Sequence, residues 1–418
     1  MRWLLRRVSR SKVYALQPKV KTRLLSTFPR SVDNAERVNV PVGSSGSVDI
    51  DLYNLAKVSS SDPLLVYLPS FSNASSSRGL SPLPSSFSRK LTTAVINYRW
   101  TDVSSPDSPV GDDASEADGL VHRPFHPGWP TPLSDTLTAY TWLVENLAPA
   151  ADVRRDVYVY GSYLGATLAT TLALTEAYPE HQMAVRGCVA YNGIYNWTMF
   201  LPDHPINKLT SSGQNMIDEI LAPPGDPEFH QLKRMTKELF TTPQDLFDPF
   251  ASPCLFFHAP NLLVPPSFDA SAIPSGSPAV SPDLSWFSEE EDELPESLYY
   301  PRKSPLAYPP RESTLKIPDV LLLYDKTPDL PSPSTRGRGR PKRNKPKNDF
   351  QIQAEELASL MRRSVNKYEL KERTQWDEDN DYEDGEAERR IHVHDVGQTG
   401  QESEVAVAWL EERISEKA

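Results

Sequence analysis

A chain of 418 residues with 40 prolines and 38% hydrophobic content has room for one core plus much loop. Its formal net charge of −12 argues against general nucleic-acid binding. Two cysteines, Cys188 and Cys254, are too few for a disulfide framework and suit a reducing compartment. Runs of about eighteen or more apolar residues are absent, so no membrane span is expected.

The N-terminus is rich in arginine, lysine, serine and leucine, and its first acid is Asp33. It lacks the long apolar stretch of a secretory signal. Residues 1–35 are therefore expected to be a mitochondrial transit segment, with Arg23-Leu-Leu-Ser-Thr27 as a matrix-processing site cut after Leu25 and the matrix as the location; the alternative is a disordered basic arm. Residues 38–418 form the folded part.

Val38 to Leu55 alternates polar and apolar residues around Gly43 and Gly46, the pattern of an opening hairpin. Pro63 to Leu68 is a buried strand, Ser72 to Ser88 a serine-rich loop, and Leu91 to Tyr98 the next strand. Residues 101–120 form an acidic, serine-rich insertion without periodicity, read as disordered. Thr131-Pro132 reads as an N-cap and first helical residue, and Leu133, Leu137, Tyr140, Val144 and Leu147 then recur at helical spacing.

Val157 to Tyr160 is a β-branched and aromatic run, Gly161 to Gly165 a tight turn, and Ala166 to Tyr178 a helix ended by Pro179. Strand, glycine turn and helix form the setting of a nucleophile elbow, written G-x-S-x-G. Here the five residues are Gly161-Ser-Tyr-Leu-Gly165, so the nucleophile position holds Tyr163 and the serine, Ser162, stands one residue early.

Val185 to Tyr191 is a further strand. Residues 198–250 read as a helical cap, with helices at Asn215 to Leu221 and Pro227 to Phe240. Residues 265–298, 330–349 and 373–389 are insertions read as disordered, the first rich in proline and serine, the second basic and the third acidic. Ile317 to Tyr324 is the seventh strand, Phe350 to Val365 a helix, Arg390 to Val396 the last strand, and Glu402 to Ile414 a closing amphipathic helix.

The chain resembles an α/β-hydrolase of the hormone-sensitive-lipase-like (fold-3) esterase branch from about Asp62 to Leu410. The resemblance is carried by Ala94-Val-Ile-Asn-Tyr-Arg99, by Arg123-Pro-Phe-His-Pro-Gly-Trp-Pro130 with Asp135 in the helix that follows, by the elbow, and by Phe247-Asp-Pro-Phe-Ala-Ser-Pro253. It implies an α/β fold: a mostly parallel central sheet flanked by helices, with a helical cap. It also implies a serine nucleophile, a histidine base, an aspartate and an oxyanion loop, and here the motifs depart. Where the family has His-Gly-Gly the chain has Pro69-Ser70-Phe71-Ser72; proline has no N–H to offer an oxyanion and Phe71 is bulky. Asp329 stands nearest the place of the acid, with Asp325 in place of a glycine, and the alternative is that both are ordinary turn aspartates. Gln398 aligns with the histidine and has no titratable nitrogen.

Three readings follow. The first is a hydrolase homologue without hydrolytic activity, binding a small apolar ligand or an unidentified protein, with Ser70, Phe71, Tyr163, Tyr195 and Trp197 as the candidate lining. The second is a weak ester hydrolase using Ser162 with His394 or His126. The third is a nucleic-acid-associated factor acting through the basic run Arg336 to Lys347, whose Arg338-Gly339-Arg340-Pro341 matches a minor-groove-binding core. The acidic run Asp377 to Glu388 offers that segment an intramolecular partner instead. The histidines are scattered and the cysteines unpaired, so no metal site or cofactor is expected.

Overall fold

The computed structural model describes residues 35–55, 61–70, 83–99, 128–150, 152–200, 232, 236, 239–257, 308–310, 313–325, 349–370, 385–397 and 401–417. The expected transit segment, the four insertions and the helix at Asn215 to Leu221 lie outside them, apart from a few residues at the insertion edges.

The strands are β1 (Ala35–Pro41), β2 (Ser47–Tyr53), β3 (Leu64–Leu68), β4 (Thr92–Asn97), β5 (Arg155–Ser162), β6 (Met183–Tyr191), β7 (Asp319–Tyr324) and β8 (Ile391–Asp395). The helices are α1 (Ser85–Lys90), α2 (Thr131–Asn146), α3 (Leu164–Thr175), α4 (Asp349–Ser364), α5 (Glu386–Arg390) and α6 (Glu402–Lys417). The eight strands form one sheet in the order β1-β2-β4-β3-β5-β6-β7-β8. β1 and β2 join it antiparallel, and every pairing from β4 to β8 is parallel. This is the mostly parallel sheet of an α/β-hydrolase fold.

The composition of the strands explains their place. β3 is apolar throughout and buried at all five positions, as a strand covered by helices on both faces must be. β6 is buried along its whole length. The β1–β2 hairpin turns as expected: Val42 N–H donates to Gly46 O at 2.8 Å, and Gly43 and Gly46 have φ of 52° and 122°.

Several boundaries differ from expectation. The acidic insertion 373–389, read as disordered, ends in a helix: residues 386–389 belong to α5, whose Ala387 is fully buried in the core. β1 begins at Ala35, the last residue of the expected transit segment, because it pairs with Tyr53 of β2. The serine-rich stretch before β4 ends in α1, because Phe87, fully buried, packs on Tyr67 and Tyr160 with ring centroids 5.8 and 4.9 Å apart; one aromatic anchor suffices to fold a short helix there. Thr131 is the first helical residue of α2 and Pro130 its N-cap, without a side-chain capping bond. α3 stops at Thr175, three residues before Tyr178, with Glu176 as its C-cap. Of the expected helix Pro227 to Phe240, Leu232, Thr236 and Leu239 are described and helical. Short 3₁₀ turns, Trp197–Phe200, Pro243–Phe247 and Pro253–Phe257, carry the chain on between them.

Candidate functional site

The elbow forms between β5 and α3 at the carboxyl end of the sheet. Two glycines let it close. A Cβ on Gly161 would lie 2.1 Å from Gly165 O, and a Cβ on Gly165 would lie 2.4 Å from the carbonyl oxygens of Leu68 and Pro69. No side chain fits at either position. At the apex Tyr163 takes φ 52° and ψ −113°. For a non-glycine residue that conformation costs about 1–3 kcal/mol and persists only where its surroundings impose it. Here the Tyr163 N–H donates to Tyr191 O at 2.9 Å, and Tyr163 O accepts from Ala166 and Thr167 as α3 begins. The strained turn that presents a nucleophile is intact, and it presents a phenol.

That phenol is 6% exposed and held from three sides. The Asn192 side-chain nitrogen donates to its oxygen at 3.3 Å. The ring meets Tyr191 and Phe350 edge to face, each centroid 5.7 Å away. Asn192 follows β6 directly, with φ 47°. Its N–H donates to Leu323 O, its side-chain oxygen accepts from the Asp325 N–H at 3.0 Å, and its amide nitrogen lies 3.3 Å from the Asp325 carboxylate. The Tyr191 hydroxyl donates to the same carboxylate at 2.5 Å. Burial first, and then this bond to a carboxylate, hold the Tyr191 phenol protonated far above its ordinary range. Asn192 thus ties β5, β6 and β7 together where a triad would be assembled.

The expected site residues scatter. Ser162 is the last residue of β5 and shares a face with Tyr160, two residues earlier; that face looks toward Phe87 and α1. His394 is an exposed residue of β8, three ladder spacings from β5, or about 14 Å, too far for a hydrogen bond to Ser162. His392 on the same strand has its Nε2 at 2.5 Å from Arg389 O. Tyr195 and Trp197 are each 1% exposed: the Tyr195 ring lies against Gly193, and Trp197 packs on Phe200 and Phe240 with centroids 5.7 and 5.2 Å away. Ser70 is half-buried, and its carbonyl, with that of Pro69, accepts from the buried Tyr98 hydroxyl. Phe71, His126, Asp329, Gln398 and Arg338 to Pro341 lie outside the described residues.

Other motif residues sit together. Arg99 after β4 clasps the fully buried Asp135 of α2 through its N–H, Nε and Nη2 at 2.8, 2.9 and 2.7 Å. Sequence reasoning did not single out the roles of Asn192, Phe350 and Gln353. Gln353 Oε1 accepts the successive N–H groups of Tyr195 and Asn196 at 2.8 and 2.7 Å, which fixes α4 over the elbow. An Asn-Gly pair directly after a strand was the available signal for Asn192, since asparagine tolerates positive φ. No group of metal-ligating side chains occurs among the described residues, and no described helix is long and apolar enough to cross a membrane.

No protein-family model matches the chain, and no curated protein matches it. Solved structures do. A carboxyl esterase of the fungus Tuber melanosporum aligns over 97% of this chain and 94% of its own, at 12% identity and a TM-score of 0.43. A bacterial brefeldin A esterase, described as a homologue of human hormone-sensitive lipase, aligns over 97% of this chain and 78% of its own, at 13% identity and a TM-score of 0.42. A hyperthermophilic esterase of the archaeon Pyrobaculum calidifontis aligns over 53% of this chain at 17% identity and a TM-score of 0.32; the match spans 59% of that enzyme's length. The chain is similar to these esterases. The α/β-hydrolase fold itself stands on the strand order and on the strand, turn and helix at 155–175.

Proposed function

We propose that this chain is an esterase-like α/β-hydrolase homologue that no longer hydrolyses esters and acts in mitochondria by binding a small apolar ligand or a protein. One observation carries the reading: the apex of the elbow holds a phenol that Asn192, Tyr191 and Phe350 enclose. Acyl transfer by this fold needs an activated hydroxyl, a base within bonding reach and oxyanion donors. A tyrosine with an ordinary phenol pKa near 10 is a poor nucleophile at neutral pH. The mitochondrial part of the reading rests on the composition of residues 1–35.

Purified protein assayed on short p-nitrophenyl esters tests the loss of activity. The expected rate equals that of a Tyr163→Ala variant, and a wild-type rate clearly above it contradicts the proposal. Import of the full chain into isolated mitochondria, with removal of about 25 residues, is the expected result for the location; a chain that stays outside and uncut contradicts it.

A further inference from the structure

Trp197 lies in the loop after β6 whose first residue, Asn192, holds the elbow tyrosine. The loop is pinned on both sides of the indole. Thr167 of α3 donates its hydroxyl to Ile194 O at 2.6 Å, and the Trp197 backbone N–H donates to Ser252 Oγ at 3.0 Å. The indole is thereby held among aromatic rings from three stretches of chain. Phe200 comes from the same loop and Phe240 from the end of the cap segment. Trp129, just before α2, meets Phe240 with centroids 5.8 Å apart. This cluster holds two indole N–H groups and treats them differently. Trp129 Nε1 donates to the Asp248 carboxylate at 2.9 Å. Trp197 Nε1 is buried, in a residue only 1% exposed, and has no acceptor among the described residues. A buried donor left unpaired costs free energy that a bond to an arriving acceptor recovers. Apolar walls with one fixed polar group are the makings of a small-molecule site.

We propose that the Trp197 indole N–H is a ligand-binding donor, and that the molecule it receives is a small apolar compound with an uncharged oxygen acceptor, of the ketone or ester carbonyl class. The inference rests on the ligand-binding reading above and narrows it from an apolar ligand to one with a carbonyl. The rings of Trp129, Phe200 and Phe240 supply the apolar contact, and Trp197 Nε1 fixes the orientation. The Asp248 carboxylate already sits in this cluster, so an anionic acceptor would meet like charge and a neutral one does not.

Acetophenone and ethylbenzene are the probes, since their shapes are alike and only the first carries a carbonyl. Each is titrated by NMR into the full chain and into Trp197→Phe, which keeps a ring and loses the N–H. The wild type is expected to bind acetophenone roughly tenfold tighter than ethylbenzene, and the variant to bind the two alike. The indole N–H resonance missing from the variant is expected to move downfield with acetophenone only. An equal preference in wild type and variant overturns the role of Trp197 and leaves the ligand-binding reading standing. Binding of neither probe to the wild type overturns this inference together with the small-ligand part of that reading. Should Trp197→Phe fail to fold, the wild-type titration decides: one indole N–H resonance is expected to respond to acetophenone and not to ethylbenzene, and the lack of any such resonance overturns the proposal.

Discussion

The Asn192 side-chain nitrogen stands 3.3 Å from the Tyr163 phenol oxygen, and both residues hold a left-handed backbone, with φ of 47° and 52°. Two strained residues, each directly following one of the neighbouring strands β5 and β6, therefore brace each other at the carboxyl edge of the sheet. Each pays its conformational cost through bonds that the other helps to fix. Tyr163→Phe removes the bond from Asn192 and is expected to destabilise the fold by about 1 kcal/mol. Tyr163→Ser also removes the ring contacts with Tyr191 and Phe350, and is expected to cost about 3–4 kcal/mol. It should show no ester turnover above background, because a serine alone lacks a base. Denaturant melts and p-nitrophenyl ester assays check both.

The elbow glycines carry a separate expectation. Gly161→Ala and Gly165→Ala place a methyl group 2.1–2.4 Å from backbone oxygens that cannot move aside. Each change is expected to cost more than about 3 kcal/mol, or to prevent soluble expression. Normal melts for both variants would mean that the turn is looser than described.

The Arg99–Asp135 clasp joins β4 to α2. Asp135 has no exposed side chain, so removing its partner leaves a buried charge. Arg99→Ala is expected to cost about 3–5 kcal/mol. Arg99→Lys keeps the charge and loses the fork, and should fall between that variant and the wild type. Urea melts rank the three proteins.

Both cysteines are fully buried. Burial pushes the Cys188 thiol up to about 12 and the Cys254 thiol up as well, which keeps them protonated. Iodoacetamide at pH 8 should label neither in the native protein and both after unfolding, as read by intact mass.

Much of the fold was legible in the sequence because its signals are local. Leu64 to Leu68 could only be a buried strand, and Gly161 to Gly165 could only be a sharp turn beside a helix. The boundary errors have local causes too: Phe87 turned a serine-rich loop into a helix, and Pro130 displaced Thr131 as the cap. The site was legible only in part. A tyrosine at the apex can be read directly, but its enclosure depends on residues far apart in the chain. Asn192 and Phe350 meet it through the packing of β6 and α4, which no spacing reveals. The alternation of β5 likewise decided the direction of Ser162, a matter of one residue on a two-residue period.

The proposed loss of activity requires that no serine at this edge is an activated nucleophile. A fluorophosphonate probe followed by peptide mass spectrometry measures that directly on the native chain. The prediction is no adduct on Ser162 or on any other serine at probe levels that saturate an active esterase. A stoichiometric adduct on Ser162, lost on heat denaturation, would contradict it.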